Sequence, residues 1–154
     1  MGRLSDKYKI LAIKHVSKDE FEIDIEGKDS WRMKHSGADT VAIVSKSKLA
    51  IIMDHDKRFD IYRFVELLEA IKGEEFDIVI IEGFSRVLGR DENIYKIIVG
   101  RDLGSIDEVR SIISGPIMAI VSDADVEESK VLKMDNIETI IEAIEDMLAR
   151  MKRE

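Results

Sequence analysis

The chain of 154 residues has no cysteine. That excludes a disulfide framework, a thiolate metal site and a cysteine nucleophile. Glutamine is absent and asparagine occurs only at Asn93 and Asn136, while Glu, Lys and Ile are abundant, a composition that suits a thermophile. The one proline, Pro116, stands just before an apolar run, where it interrupts nothing. No apolar run approaches the roughly 20 residues that a membrane span requires. The first residues, "MGRLSDKYKILAIKH", do not read as a signal peptide, because the apolar stretch is short and no small-residue cleavage site follows. The expected location is the cytoplasm, with no membrane partner.

What is present describes a folded domain. Hydrophobic residues make up 45% of the chain and charged residues 36%. The length predicts a single domain, residues 1–154, with a core of ordinary size. A net charge of -8 argues against a nucleic-acid partner. The charge is uneven: residues 1–58 balance at +2 and the remainder at -10. The first third is therefore the better candidate for meeting an anion, against the plainer reading of scattered solvated charges.

Periodicity predicts the elements. "YKILAIKH" (8–15) is a short buried strand, and "FEIDI" (21–25) alternates strictly as a half-exposed one. "DSWRMKHSGA" follows as a short helix, capped by Asp29 or Ser30 and ended by Gly37. "TVAIVS" (40–45) and "LAIIMD" (49–54) are close enough for a hairpin. "RFDIYRFVELLEAIKG" (58–73) is an amphipathic helix with Ile61, Phe64, Val65, Leu68 and Ile71 on one face and Gly73 as its stop. "FDIVIIEGF" (76–84) is apolar on both faces and is predicted to be central. "YKIIVGR" (95–101) and "IMAIVSD" (117–123) are similar strands, with the helix "SIDEVRSII" (105–113) between them. The last helix, 136–151, turns Ile137, Ile140, Ile141, Ile144, Leu148 and Met151 inward. Strands alternating with amphipathic helices predict an α/β three-layer sandwich with a mostly parallel, mixed sheet.

In such sheets ligands bind beyond the carboxyl ends of the strands. Those ends carry Lys14 and His15, Glu82 and Gly83, Arg101, and Ser122 and Asp123. Bases and acids on one rim suit phosphate with a divalent cation. "IVIIEGF" has the pattern of a Walker B strand, whose terminal acid holds Mg2+, although a buried strand can also end in Glu-Gly at a simple turn. Lys14 and His15 have the plainer reading of first solvated residues past a strand.

"DIEGKDSWR" raises a phosphate question of its own. Lys28 and Arg32 stand four residues apart beside a predicted helix start, so they can face one anion; the plainer reading is a helix cap with a core tryptophan. The phosphate loop itself reads G-x-x-x-x-G-K-[ST], and it does not occur in this sequence.

Taken in order, "AIKHV", "FEIDIEGKDSWRMKHSGAD", "IIEGFSR", "KIIVGRD" and "IMAIVSD" resemble the molybdopterin-guanine dinucleotide biosynthesis protein B (MobB) family. The resemblance runs from about residue 8 to residue 123 and implies a P-loop GTPase-like fold. Relative to that family the chain is expected to lack the first strand, the phosphate loop and most of the first helix. The resemblance implies GTP and Mg2+ as cofactors, weak GTP hydrolysis, molybdopterin as a bound substrate, and a homodimer. It also implies a molybdopterin guanylyltransferase (MobA-like) or a molybdoenzyme as partner. By position, Glu82 takes the Walker B and metal role, with Gly83 beside it. Asp24 assists the metal, and Lys14, His15 and Arg101 lie on the ligand rim. Gly27, Lys28, Asp29, Ser30 and Arg32 form the signature block, placed either near the phosphates or at a subunit interface.

Three functions follow for comparison. The first is a GTP-binding accessory protein that assists attachment of GMP to molybdopterin. The second is a non-hydrolysing adapter for a cofactor-biosynthesis partner. The third is a plain α/β domain whose motifs are caps and strand ends; it leaves the ordered set of matches unexplained.

Overall fold

The computed structural model describes residues 2–18, 21–55, 59–124 and 131–151. Contacts divide the chain into two compact units. One comprises the residues up to His15 and from Val79 onward, and the other is Val16–Ile78. Each is taken by itself.

The first unit opens with one helical turn, α1 (Gly2–Ser5), whose Leu4 is buried. Strand β1 (Ile10–Lys14) pairs with β4 (Ile78–Glu82), whose first residue lies at the unit boundary. The two carboxyl ends lie side by side, because the His15 amide donates to the Glu82 carbonyl at 2.9 Å. A second ladder runs in the order β5 (Lys96–Val99), β6 (Ile117–Val121), β7 (Val131–Leu132), with both pairings parallel. Helix α5 (Leu103–Ile112) packs on β5, and α6 (Ile137–Met151) packs on β6. The core joins Ile98, Ile106 and Ile120, with Val109, Ile113, Ile117 and Val131 around them. Between β4 and β5 lies α4 (Ser85–Leu88).

Local chemistry sets the ends of these elements. Asp102 caps α5: its carboxylate accepts from the Ser105 amide at 2.8 Å, and the Ser105 hydroxyl accepts from the Asp102 amide. This reciprocal box satisfies two amides that the first helical turn leaves open. Arg3 pairs with Glu138, and Lys7 with Glu145 at 2.6 Å, which ties the amino-terminal segment to α6. The Glu145 carboxylate, by its hydrogen bond and then by its charge, raises the Lys7 ammonium above its ordinary value.

The second unit holds α2 (Asp29–His35), the antiparallel hairpin β2 (Thr40–Val44) and β3 (Leu49–Met53), and α3 (Ile61–Lys72). Helix α3 stops at Gly73 as expected but starts at Ile61, with Phe59 and Asp60 before it rather than in it. Asp60 accepts from the Tyr62 and Arg63 amides, and Gly73 closes the helix at φ 77°. Helix α2 ends in a Schellman turn: Ala38 donates to the Met33 carbonyl and Gly37 to that of Lys34, with Gly37 at φ 106°. Val41 is the buried residue of the hairpin and belongs to the strand packed on α2.

Several expectations are corrected. Residues 21–25 form no strand, and Phe21, Ile23 and Ile25 are exposed. Alternation alone does not hold a strand; it requires a ladder partner, and none pairs with this segment among the described residues. The α2 cap is Lys28, in extended conformation and without a side-chain bond, rather than Asp29 or Ser30. Ile71, Ile137 and Met151 are exposed, because they sit in the last or first turns of their helices, beyond the packed face. Strand β4 has β1 as its one ladder neighbour, so among the described residues it is an edge and not a centre. Arg58, the expected first residue of the helix over 58–73, lies outside the described residues. No helix among them is long and apolar enough to cross a membrane.

Candidate functional site

The paired ends of β1 and β4 build the site in the first unit. Backbone pairing brings Glu82, the last residue of an apolar strand, beside Lys14, the last residue of another. The Lys14 ammonium donates to Oε2 of Glu82, and both side chains are largely exposed. Past the strand the chain turns sharply. Gly83 stands at φ 83°, and Phe84 is left-handed at φ 60°, the one positive-φ residue other than glycine among those described. His15 lies against this turn, its ring 4.6 Å from that of Phe84 and tilted by 52°. A Cβ placed on Gly83 would sit 2.8 Å from the His15 Cβ, so the close approach and the backbone angle both require glycine there.

Other expected site residues are placed elsewhere. Arg101 follows β5 in the same unit, exposed and next to the Asp102 cap, and makes no contact with Glu82 among the described residues. Ser122, past β6, is fully buried; its amide donates to the Leu132 carbonyl and its hydroxyl accepts from Ala124. Asp123 accepts from the Met134 amide through its carboxylate. These two hold the return to β7.

The signature block lies in the second unit. Gly27, at φ 82°, makes the tight turn in which Lys28 donates to the Ile25 carbonyl. Lys28 and Arg32 then flank the first turn of α2, joined by the Arg32 amide to the Lys28 carbonyl at 2.9 Å, and both are exposed. Asp29 and Ser30 open the helix. Trp31 is half-buried and stacks on His35 with ring centroids 3.9 Å apart. Asp24 uses one oxygen on the Ile25 amide, while Oδ2 is buried with no hydrogen-bond partner among the described residues.

Sequence reasoning missed Lys34. Its side chain is 18% exposed and donates to the carbonyls of Ala38 and Asp39 and, at 2.6 Å, to the Asp54 carboxylate. It clamps the end of α2 to the base of the hairpin. Its signal in the sequence was a lysine in the last turn of a helix, which by itself reads as dipole compensation.

No group of three or more His, Asp or Glu side chains is placed to hold a metal among the described residues. Mg2+, however, is usually held by one or two carboxylates, with water and substrate phosphates completing its shell. An exposed strand-end carboxylate suits that mode, with the Lys14 ammonium left to face a phosphate. The orphaned Asp24 oxygen is a second candidate acid, considered within its own unit.

The fold is of the P-loop NTPase-like α/β class, with parallel strand ladders and no closed barrel. A solved molybdopterin-guanine biosynthesis protein B superposes with a TM-score of 0.69 at 27% identity, covering 94% of this chain and 82% of that one. Residues 3–123 match the family described as Molybdopterin guanine dinucleotide synthesis protein B, MobB, and the chain belongs to that family. A putative molybdopterin-guanine dinucleotide biosynthesis adapter protein of Methanocaldococcus jannaschii is 36% identical over 103 residues, covering 67% of this chain. The chain spans 40% of the length of that relative. The adapter protein of Haemophilus influenzae is 28% identical over 146 residues, covering 91% of this chain and 73% of its own length.

Proposed function

We propose that this protein is an accessory factor in molybdenum or tungsten cofactor biosynthesis, acting in the cytoplasm where GMP is attached to molybdopterin. The observation that carries the reading is the Lys14–Glu82 pair at adjoining strand ends in a chain of this family. In it, Glu82 holds Mg2+ and Lys14 meets an anionic phosphate of GTP; the metal, when bound, neutralises phosphate charge. Gly83 keeps the backbone low beside the acid, and His15 lies against the turn that follows. Gly27, Lys28, Asp29, Ser30 and Arg32 belong to the same function, as a phosphate contact or as a contact with the partner. Molybdopterin is the proposed bound substrate, and a MobA-like guanylyltransferase or a molybdoenzyme the proposed partner.

A homodimer is part of this proposal. One face of the hairpin presents Val44, Leu49, Ile51 and Met53 to solvent, an apolar surface of the kind that another protein covers.

Titration of the chain with a fluorescent GTP analogue and Mg2+, repeated on Glu82→Ala, tests the reading. Binding weakened at least tenfold by the substitution is expected. A second reading, an adapter that neither binds nor hydrolyses GTP, is favoured by the lack of G-x-x-x-x-G-K-[ST] in this sequence. No detectable binding by the unsubstituted chain, with retained capture of the guanylyltransferase, would select it.

A further inference from the structure

His15 contacts Glu82 and Phe84 and stands in the space beside the residue between them. Its backbone amide donates to the Glu82 carbonyl at 2.9 Å. Its Cβ occupies the space a side chain on Gly83 would need, 2.8 Å from that position. Its ring lies on that of Phe84 at 4.6 Å. The turn it touches combines two positive φ angles in succession, 83° at Gly83 and 60° at Phe84. A left-handed phenylalanine is held only where its surroundings over-determine it. The ring of His15 is one of those surroundings, and Glu82, whose carbonyl takes the His15 amide, leads directly into the turn.

The geometry points to His15 as a positioning residue, which fixes the Glu82–Gly83–Phe84 turn by packing and thereby aims the Glu82 carboxylate, rather than as a residue whose imidazole meets the ligand. This rests on the proposed role of Glu82. In this assignment the imidazole nitrogens are dispensable and the flat ring is not. A ring without nitrogen at position 15 therefore serves as well as histidine, and a methyl group does not.

The test compares His15→Ala and His15→Phe in the full chain by two readouts. The first is NMR: the Gly83 and Phe84 amide resonances and the Glu82 carboxyl carbon, without ligand. His15→Ala is expected to shift these signals and broaden the amides, and His15→Phe to restore them close to the parent positions. The second is affinity for Mg2+ with a fluorescent GTP analogue, expected to fall fivefold or more in His15→Ala and less than twofold in His15→Phe. If both variants lose affinity equally while the Glu82–Phe84 signals stay in place, the imidazole contacts the ligand and the positioning role is overturned. If His15→Ala leaves the signals unmoved, it is overturned as well. Should the parent chain bind no nucleotide, the proposed function fails on its own, and the NMR comparison alone decides for or against positioning by His15.

Discussion

At the scale of single residues, the Glu-Gly-Phe turn shows how a short motif becomes a constraint. Gly83 is demanded twice, by a φ of 83° and by the nearness of the His15 Cβ. Gly83→Ala is expected to cost about 1–3 kcal/mol, read as a lowered melting temperature by circular dichroism. An unchanged melt would mean that the turn relaxes freely. The place of Glu82 at a strand end was legible in the sequence, because an acid followed by glycine after an apolar run is a local pattern. His15 was legible as a strand-end residue, but its contact with Phe84 spans 69 positions and no periodicity encodes it. Lys34 was invisible for the same reason: its carboxylate partner, Asp54, is 20 residues away.

At the scale of elements, legibility followed the range of the forces. Helix α3 ends at Gly73 as its sequence signal required, since a cap is settled within a turn, whereas its start after the Asp60 cap lies later than the expected run from residue 58. Residues 21–25 alternate as a strand does and yet form none, because a strand depends on a neighbour that the segment cannot specify. Helix α5 offers a test with a pH sign. The Ser105 amide, then its hydroxyl, holds the Asp102 carboxyl below its ordinary value of 3.8. A carboxyl depressed on folding adds stability that is present above the unfolded value and is lost as pH falls through the lower folded one. Asp102→Ala should therefore lower the melting temperature at neutral pH, and the gap from the parent should close progressively as pH drops below 3.8. A gap independent of pH would place the stabilisation outside the carboxylate.

At the scale of the whole molecule, the sequence predicted one mostly parallel sheet, and the described residues form three ladders: β1–β4, β2–β3 and β5–β6–β7. The class was legible because buried strands alternate with amphipathic helices. The division into ladders was not, because it depends on which strands meet. The hairpin adds a prediction at this scale. Ile51 is opposite Ala42 on the exposed apolar face. Ile51→Lys puts a charge there without touching Val41, the buried residue of the hairpin. The parent chain is expected to sediment as a dimer and the variant as a monomer, by analytical ultracentrifugation. A monomeric parent would remove the homodimer from the proposal.

The stack of Trp31 on His35 gives the molecule an optical reporter. The only indole in the chain belongs to the Val16–Ile78 unit, so tryptophan emission follows the unfolding of that unit alone. Far-ultraviolet ellipticity follows the helices of both units. The separation between the two melting curves thus measures how far the units unfold independently, with no label attached.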